Sequence, residues 1–136
     1  MKDTLATGVT LKKRFDIDKP RTIDFMGDAL RVYATPKMVW DIEHTCRDLT
    51  LPHLDDGEDS VGARVEVDHL GATLLGMSVD ITATVTEVDG RRVTFEVEVH
   101  DSLELVGRAR HIRFVIDKER QKQRLEAKAE KVAAAQ

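Results

Sequence analysis

Three stretches of the chain alternate between apolar and polar positions. Val61, Ala63, Val65, Val67 and His69 are interleaved with Gly62, Arg64, Glu66 and Asp68. Met77, Val79, Ile81, Ala83 and Val85 alternate with Ser78, Asp80, Thr82 and Thr84, and Val93, Phe95, Val97 and Val99 with Thr94, Glu96 and Glu98. A period of two marks strands with one face buried and one wet. A further strand is predicted from about Glu104 to Ile116, where Leu105, Gly107, Ala109, His111, Arg113 and Val115 share a parity. Gly107 and Ala109 are small, so another element is expected to pack close above them, with His111 and Arg113 on that same side. A first strand is predicted over Gly8 to Ile17, carrying Val9, Leu11, Phe15 and Ile17 on one face.

The apolar positions Met38, Val39, Ile42, Cys46 and Leu49 instead recur at spacings of one, three and four, which makes one stripe along a helix able to lie on a sheet. Thr35 before Pro36 is a start signal, because a threonine hydroxyl can accept from an orphan helix N–H and proline suits the first helical position. The helix is therefore expected to begin at Pro36, capped by Thr35. The acidic segment from Leu51 to Asp59 reads as a solvated loop, without the alternating ligands and closing Glu of a calcium loop. Ahead of the helix, Asp18-Lys19-Pro20 reads as a turn, Thr22 to Met26 as a short extended piece and Gly27-Asp28 as a break.

Parity also constrains the turn between the two clearest strands. A two-residue Asp89-Gly90 loop would set Val85 opposite Thr94 and scatter apolar residues over both faces. A three-residue Val88-Asp89-Gly90 loop pairs Glu87 with Arg91 and Val85 with Val93, predicting a type I turn with a G1 bulge at Gly90.

At 136 residues the chain fits one domain, read as residues 1–117 followed by a charged helical tail over 118–136. That tail has only Leu125 and Val132 as large aliphatics, so a solvated helix is expected. The single cysteine cannot form an intrachain disulfide and fits a reducing compartment; on the apolar stripe, Cys46 reads as a core residue rather than a nucleophile. No apolar run reaches signal-peptide or membrane-spanning length, and a soluble, cytoplasmic protein without a membrane partner is expected. A formal net charge of -4 and 4% aromatic residues argue against nucleic acid as a partner.

One helix facing four or five antiparallel strands is an α+β arrangement and suggests the hotdog fold, a long central helix wrapped by an antiparallel β-sheet. One helix covers little of such a sheet and its edges invite pairing, so a homodimer with a continuous sheet is expected. From about Val32 to Asp117 the chain resembles the fluoroacetyl-CoA thioesterase-like family of hotdog hydrolases. The resemblance is carried by Ala34-Thr35, Glu43, Cys46, Ser60 with Gly62, His69, Gly76, Asp89-Gly90-Arg91-Arg92, His100-Asp101 and His111 with Arg113. It implies hydrolysis of an acyl-CoA substrate without metal or redox cofactor, with Thr35, Glu43 and His69 as catalytic residues and Gly62 and Arg113 at the acyl site. Members specialised for fluoroacetyl-CoA carry a longer, Phe-bearing segment ahead of the helix. Here Met26 to Arg31 is short and contains no Phe, which argues against fluoroacetate selectivity.

Thioester hydrolysis needs a carboxylate as nucleophile or base, a donor for the developing oxyanion and help for the departing thiolate. Glu43 can supply the first, or be an ordinary solvent-facing helix glutamate. His69 can shuttle a proton or stabilise charge, or be a satisfied core histidine. Thr35 can bind the substrate carbonyl or position water while also capping the helix, and Arg113 can meet acyl or CoA charge or form a plain salt bridge. Arg91, Arg92, Arg108 and Arg110 are available to CoA phosphates.

Thr35 and Glu43 stand roughly 12 Å apart along the helix and about 80° around it. Gly62 and His69 stand roughly 23 Å apart on a straight strand. One pocket using all four needs a sharply bent strand or a second subunit. The second is expected, with two equivalent sites at a dimer interface. Two other functions of the same fold stay open: a non-hydrolytic acyl-CoA or small-ligand binding protein, and a dehydratase or isomerase acting on thioesters.

Overall fold

The computed structural model describes all residues, 1–136. In chain order the elements are β1 (Thr10–Asp16), α1 (Thr35–Thr50), β2 (Glu58–His69), β3 (Ser78–Asp89), β4 (Arg92–His100), β5 (Leu105–Asp117) and α2 (Lys118–Ala134). Every strand pairing is antiparallel, in one sheet ordered β1-β3-β4-β5-β2, so β1 and β2 are its edges. α1 lies on one face, burying Met38, Ile42, Cys46 and Leu49 against the inward residues of β3, β4 and β5. A Cβ at Gly107 would meet Met38 Sδ at 2.7 Å, so the close-packing element expected over the small residues of β5 is α1. The extended piece expected at Thr22 to Met26 reduces to one bridge, Thr22 to Tyr33.

Two bulges correct the register expected from parity. In the β3–β4 hairpin Asp89 pairs with Arg92, leaving a two-residue Gly90-Arg91 loop. Gly90 has φ 61°, at the position that a type II′ turn reserves for glycine. The extra residue that parity demands is Thr86, between the Val85–Phe95 and Glu87–Thr94 pairs, not part of the loop. Val88 thereby faces Val93 on the core side, as the apolar pattern requires. The expected Glu87–Arg91 pair is replaced by Arg92, which reaches Glu87 and Asp89 at 3.3 Å.

The second bulge is at Ala63, between the Gly62–Arg113 and Arg64–Ile112 pairs. Before it Ser60 is buried and Val61 exposed; beyond it Val65, Val67 and His69 turn inward. The single parity read over Val61 to His69 therefore holds only past Ala63. β2 also starts earlier than expected, at Glu58, which already pairs with Asp117, and Asp59 beside it is held by Nε and Nη2 of Arg47 (2.9 and 2.7 Å).

α2 follows β5 directly, Asp117 capping it by accepting from the Arg120 backbone N–H at 3.0 Å. None of its residues is buried. No helix is long and apolar enough to cross a membrane.

Candidate active site

The helix start is shifted by one residue from expectation, and the reason is chemical. Ala34, with an extended backbone, is the N-cap, and its carbonyl accepts from the Lys37 and Met38 N–H groups at 3.0 Å. Thr35 is thus within α1 and caps nothing. Its Oγ1 lies 2.7 Å from Nδ1 of His69, at the far end of β2. Burial lowers the His69 pKa from its ordinary value, opposed by the Gly71 backbone. The Tyr33 ring stands edge-on to it, with centroids 6.2 Å apart. Tyr33 in turn donates to buried Asp41 at 2.6 Å, and Asp41 receives two bonds from Arg21 at 2.9 and 3.2 Å. This network ties the loop ahead of α1 to the helix and orients the Thr35–His69 pair. The pair opens on a cleft of ≈ 410 Å³ shared with Ile23, Val32 and Leu70.

Glu43 belongs to a different cleft, of ≈ 250 Å³, with His44, Arg47, Ser60, Gly62 and Arg113. The Arg47–Asp59 pair clamps this part of α1 to the start of β2 and so sets Glu43 over Gly62. A Cβ at Gly62 would come 2.6 Å from Glu43 Oε1, 3.2 Å from His111 Cε1 and 3.5 Å from Arg113 Nη1. Only glycine leaves the carboxylate that space.

Arg113 is 5% exposed and is held without a carboxylate partner. Its Nε donates to Ser60 Oγ and its Nη2 to Ser60 O, both at 2.8 Å, and its Nη1 donates to His111 Nε2 at 3.2 Å. Guanidinium groups only donate, so His111 Nε2 accepts; the Arg64 carbonyl, 2.8 Å from Nδ1, only accepts, so Nδ1 carries the proton. His111 is therefore a neutral imidazole joining the carbonyl beside the β2 bulge to Arg113. Two of the five Arg113 N–H groups remain free. Desolvation draws its pKa down, and the nearby charge of Glu43 acts in the opposite sense. The cluster presents a free carboxylate, a close backbone approach and unspent cationic donors around one small space.

Within one chain the residues singled out from the sequence thus form two groups, Glu43 with Gly62 and Arg113, and Thr35 with His69. The two clefts share no lining residue. Sequence reasoning placed His111 and Arg113 on the helix side but assigned no task to Ser60 or His111, and it overlooked the Asp41–Tyr33–Arg21 network. An Asp beside Ile42 at the apolar stripe, nearly two turns into α1, was the available signal. Cys46 is fully buried, its thiol pushed up to about 12 mainly by desolvation, which suits a core residue and not a nucleophile.

Burial also holds the pKa of His111 below the ordinary 6.5. The unfolded chain takes up protons as pH falls through about 6.5, whereas folded His69 and His111 stay neutral to lower pH. Their neutrality costs no stability above about pH 6.5. Below it, stability is expected to fall by up to about 1.4 kcal/mol per pH unit for each ring until the folded pKa is passed. Melting temperatures between pH 7.5 and 5 check this. His111→Gln, whose amide can donate to the Arg64 carbonyl and accept from Arg113, is expected to remove part of the slope; an unchanged slope would take His111 out of the account.

Comparison with known proteins shows the family and the fold. The sequence profile of a family described as fluoroacetyl-CoA-specific thioesterase matches residues 17–119. The fluoroacetyl-CoA thioesterase of Streptantibioticus cattleyicolor is 32% identical over 127 residues, covering 88% of this chain and 91% of that protein. The crystal structure of a point mutant of the fluoroacetyl-CoA-specific thioesterase FlK superposes with a TM-score of 0.85 at 30% identity, covering 93% of this chain and 99% of that one. A hot-dog-like protein from Thermanaerovibrio acidaminovorans, 24% identical, shares the fold with a TM-score of 0.83 over 90% of this chain and 91% of its own. The chain belongs to the fluoroacetyl-CoA-specific thioesterase family, a family of thioester hydrolases, and has its hotdog fold.

Proposed function

We propose that the chain hydrolyses a small acyl-CoA thioester to the free acid and CoA, in a pocket that two copies of the chain complete. The observation that carries this is the Glu43 carboxylate, half-buried over Gly62 and without a protein hydrogen bond, beside an arginine with donors to spare. In one route Glu43 takes a proton from water as its oxygen bonds to the thioester carbon. The C–S bond then breaks, and the thiolate leaves with a proton. In the other, Glu43 attacks the carbon itself, and water later cleaves the resulting anhydride. In either route the carbonyl oxygen gains negative charge, which a nearby N–H stabilises. When the Thr35 hydroxyl donates to His69 Nδ1, Nε2 carries the proton of the neutral ring, and that oxygen or the leaving thiolate competes with the Gly71 backbone for it.

The dimer part of the reading rests on β2. This strand is an edge of the sheet and 12 residues long, and an edge of that length invites pairing with a second copy. Antiparallel pairing about a two-fold axis near Val65 and Glu66 would put Gly62 opposite the partner's His69, which joins the two half-sites. Fluoroacetyl-CoA appears in the names of relatives; the short segment from Met26 to Arg31 argues for a different small acyl group here. Phe25, just before it, is 76% exposed and covers neither cleft.

Thiol release from a panel of short, aromatic and fluoroacetyl CoA thioesters tests the activity. Turnover of at least one is expected. Tight binding without turnover would favour a binding protein, and addition or loss of water without thiol release would favour a dehydratase. A single turnover in H₂¹⁸O tests the second route: an acid carrying only unlabelled oxygen shows that Glu43 attacked and water cleaved the anhydride at the Glu43 carbonyl, whereas one labelled oxygen shows that water attacked the acyl carbon, of the thioester or of the anhydride.

A further inference from the structure

Of the four arginines considered for CoA phosphates from the sequence, three are poorly placed for that task. Arg92 is engaged with Glu87 and Asp89. Arg108 is flanked across the sheet by Asp68 and Glu98, and Arg110 by Glu66 and Glu96. Only Arg91 faces a cleft in which positive charge dominates. That cleft, of ≈ 70 Å³, lies where α2 leaves β5, and Arg120 and Arg124 line it together with Arg91 and Asp117. Arg120 and Arg124 are one helical turn apart, a like-charge spacing that is mildly unfavourable in water. Neither has a carboxylate partner. Arg91 spends one arm on Glu58 at 3.1 Å, and Asp117 spends one oxygen on the Arg120 backbone.

From this juxtaposition, and resting on the thioesterase reading above, we propose that Arg91, Arg120 and Arg124 form the subsite for the phosphate groups at the nucleotide end of CoA. The placement suits that role. Val115 lines this cleft, and its β2 partner Ser60 lines the Glu43 cleft; Gly62 and Arg113 lie two residues further along, roughly 7 Å. A thioester held at Glu43 therefore has its phosphates within reach of α2. Guanidinium groups suit phosphate because their paired N–H groups match two oxygens at once. Arg120 and Arg124 also lie beyond residues 17–119, so two of the three arginines stand outside the matched family region and only Arg91 within it.

The test is calorimetric binding of CoA, dephospho-CoA and pantetheine to the full chain, in the wild type and in the double variant Arg120→Gln/Arg124→Gln. Both side chains are exposed, so folding is expected to be kept, and a melting curve verifies it. Wild type is expected to bind CoA at least about tenfold more tightly than pantetheine, with the difference shrinking as salt is raised. The double variant is expected to lose most of that preference, while Lys128→Gln/Lys131→Gln, which removes the same charge further along α2, keeps it. The dephospho-CoA arm tells the 3′-phosphate from the pyrophosphate. Equal CoA affinity in wild type and the arginine variant, or no wild-type preference for CoA over pantetheine, would overturn the subsite. Arginine-dependent CoA binding without hydrolysis of any thioester would uphold the subsite and sink the hydrolase reading instead.

Discussion

Glu43→Gln is expected to lower kcat for thiol release by about 10³-fold or more, within the range associated with removing a positioned general base or nucleophile. Glutamine keeps the shape of the side chain but neither accepts a proton at neutral pH nor attacks a thioester. The fold has little to lose, because Glu43 makes no hydrogen bond or ion pair within the chain and the helix is anchored by Met38, Ile42, Cys46 and Leu49. A melting temperature within a few degrees of wild type is therefore expected, so that lost turnover reports chemistry and not unfolding. A variant retaining more than a tenth of wild-type turnover would remove Glu43 from the mechanism.

The second large effect is a recovery. Glu43→Gln and His69→Ala are each expected to be nearly inactive alone. Randomly mixed dimers of the two are expected to regain about a quarter of wild-type activity, because about half the dimers are hybrid and each hybrid has one intact site out of two. That follows if Glu43 of one copy works with the partner's His69. Glu43→Gln mixed with Gly62→Val should regain nothing, because Glu43 and Gly62 touch within one chain and every hybrid site then carries a defect. Co-expression under two affinity tags, followed by a thiol-release assay of the doubly tagged dimers, measures both mixtures; these dimers are all hybrids, so the Glu43→Gln with His69→Ala pair is expected to reach about half of wild-type activity after that selection. No recovery with His69→Ala would mean that each chain works alone.

Much of the fold was legible because burial on one side imposes a period on the sequence. The stripe from Met38 to Leu49 located α1, and the alternations after residue 77 located β3, β4 and β5. Gly107 showed where the helix would press against the sheet. Thr35 misled because its hydroxyl had two plausible acceptor or donor partners, a helix N–H one turn on and a histidine 34 residues away. Local spacing reveals only the first. The bulges at Ala63 and Thr86 were hidden for a related reason. Parity says that one extra residue is needed, but its position depends on twist and pairing along the whole strand.

The sequence by itself determined the order and type of the elements, the side of β5 that carries His111 and Arg113, and the candidate residues of the site. Periodicity and residue chemistry are local properties, written along the chain. Tertiary structure alone decided the grouping: Glu43 over Gly62 and Arg113, Thr35 with His69, and α2's arginines beside Arg91. It also decided the neutral tautomer of His111, which follows from the Arg64 carbonyl and the Arg113 guanidinium that meet its two nitrogens. Those pairings join residues distant in sequence through bulges and cross-strand register, and a one-residue slip in either would send each side chain to the opposite face.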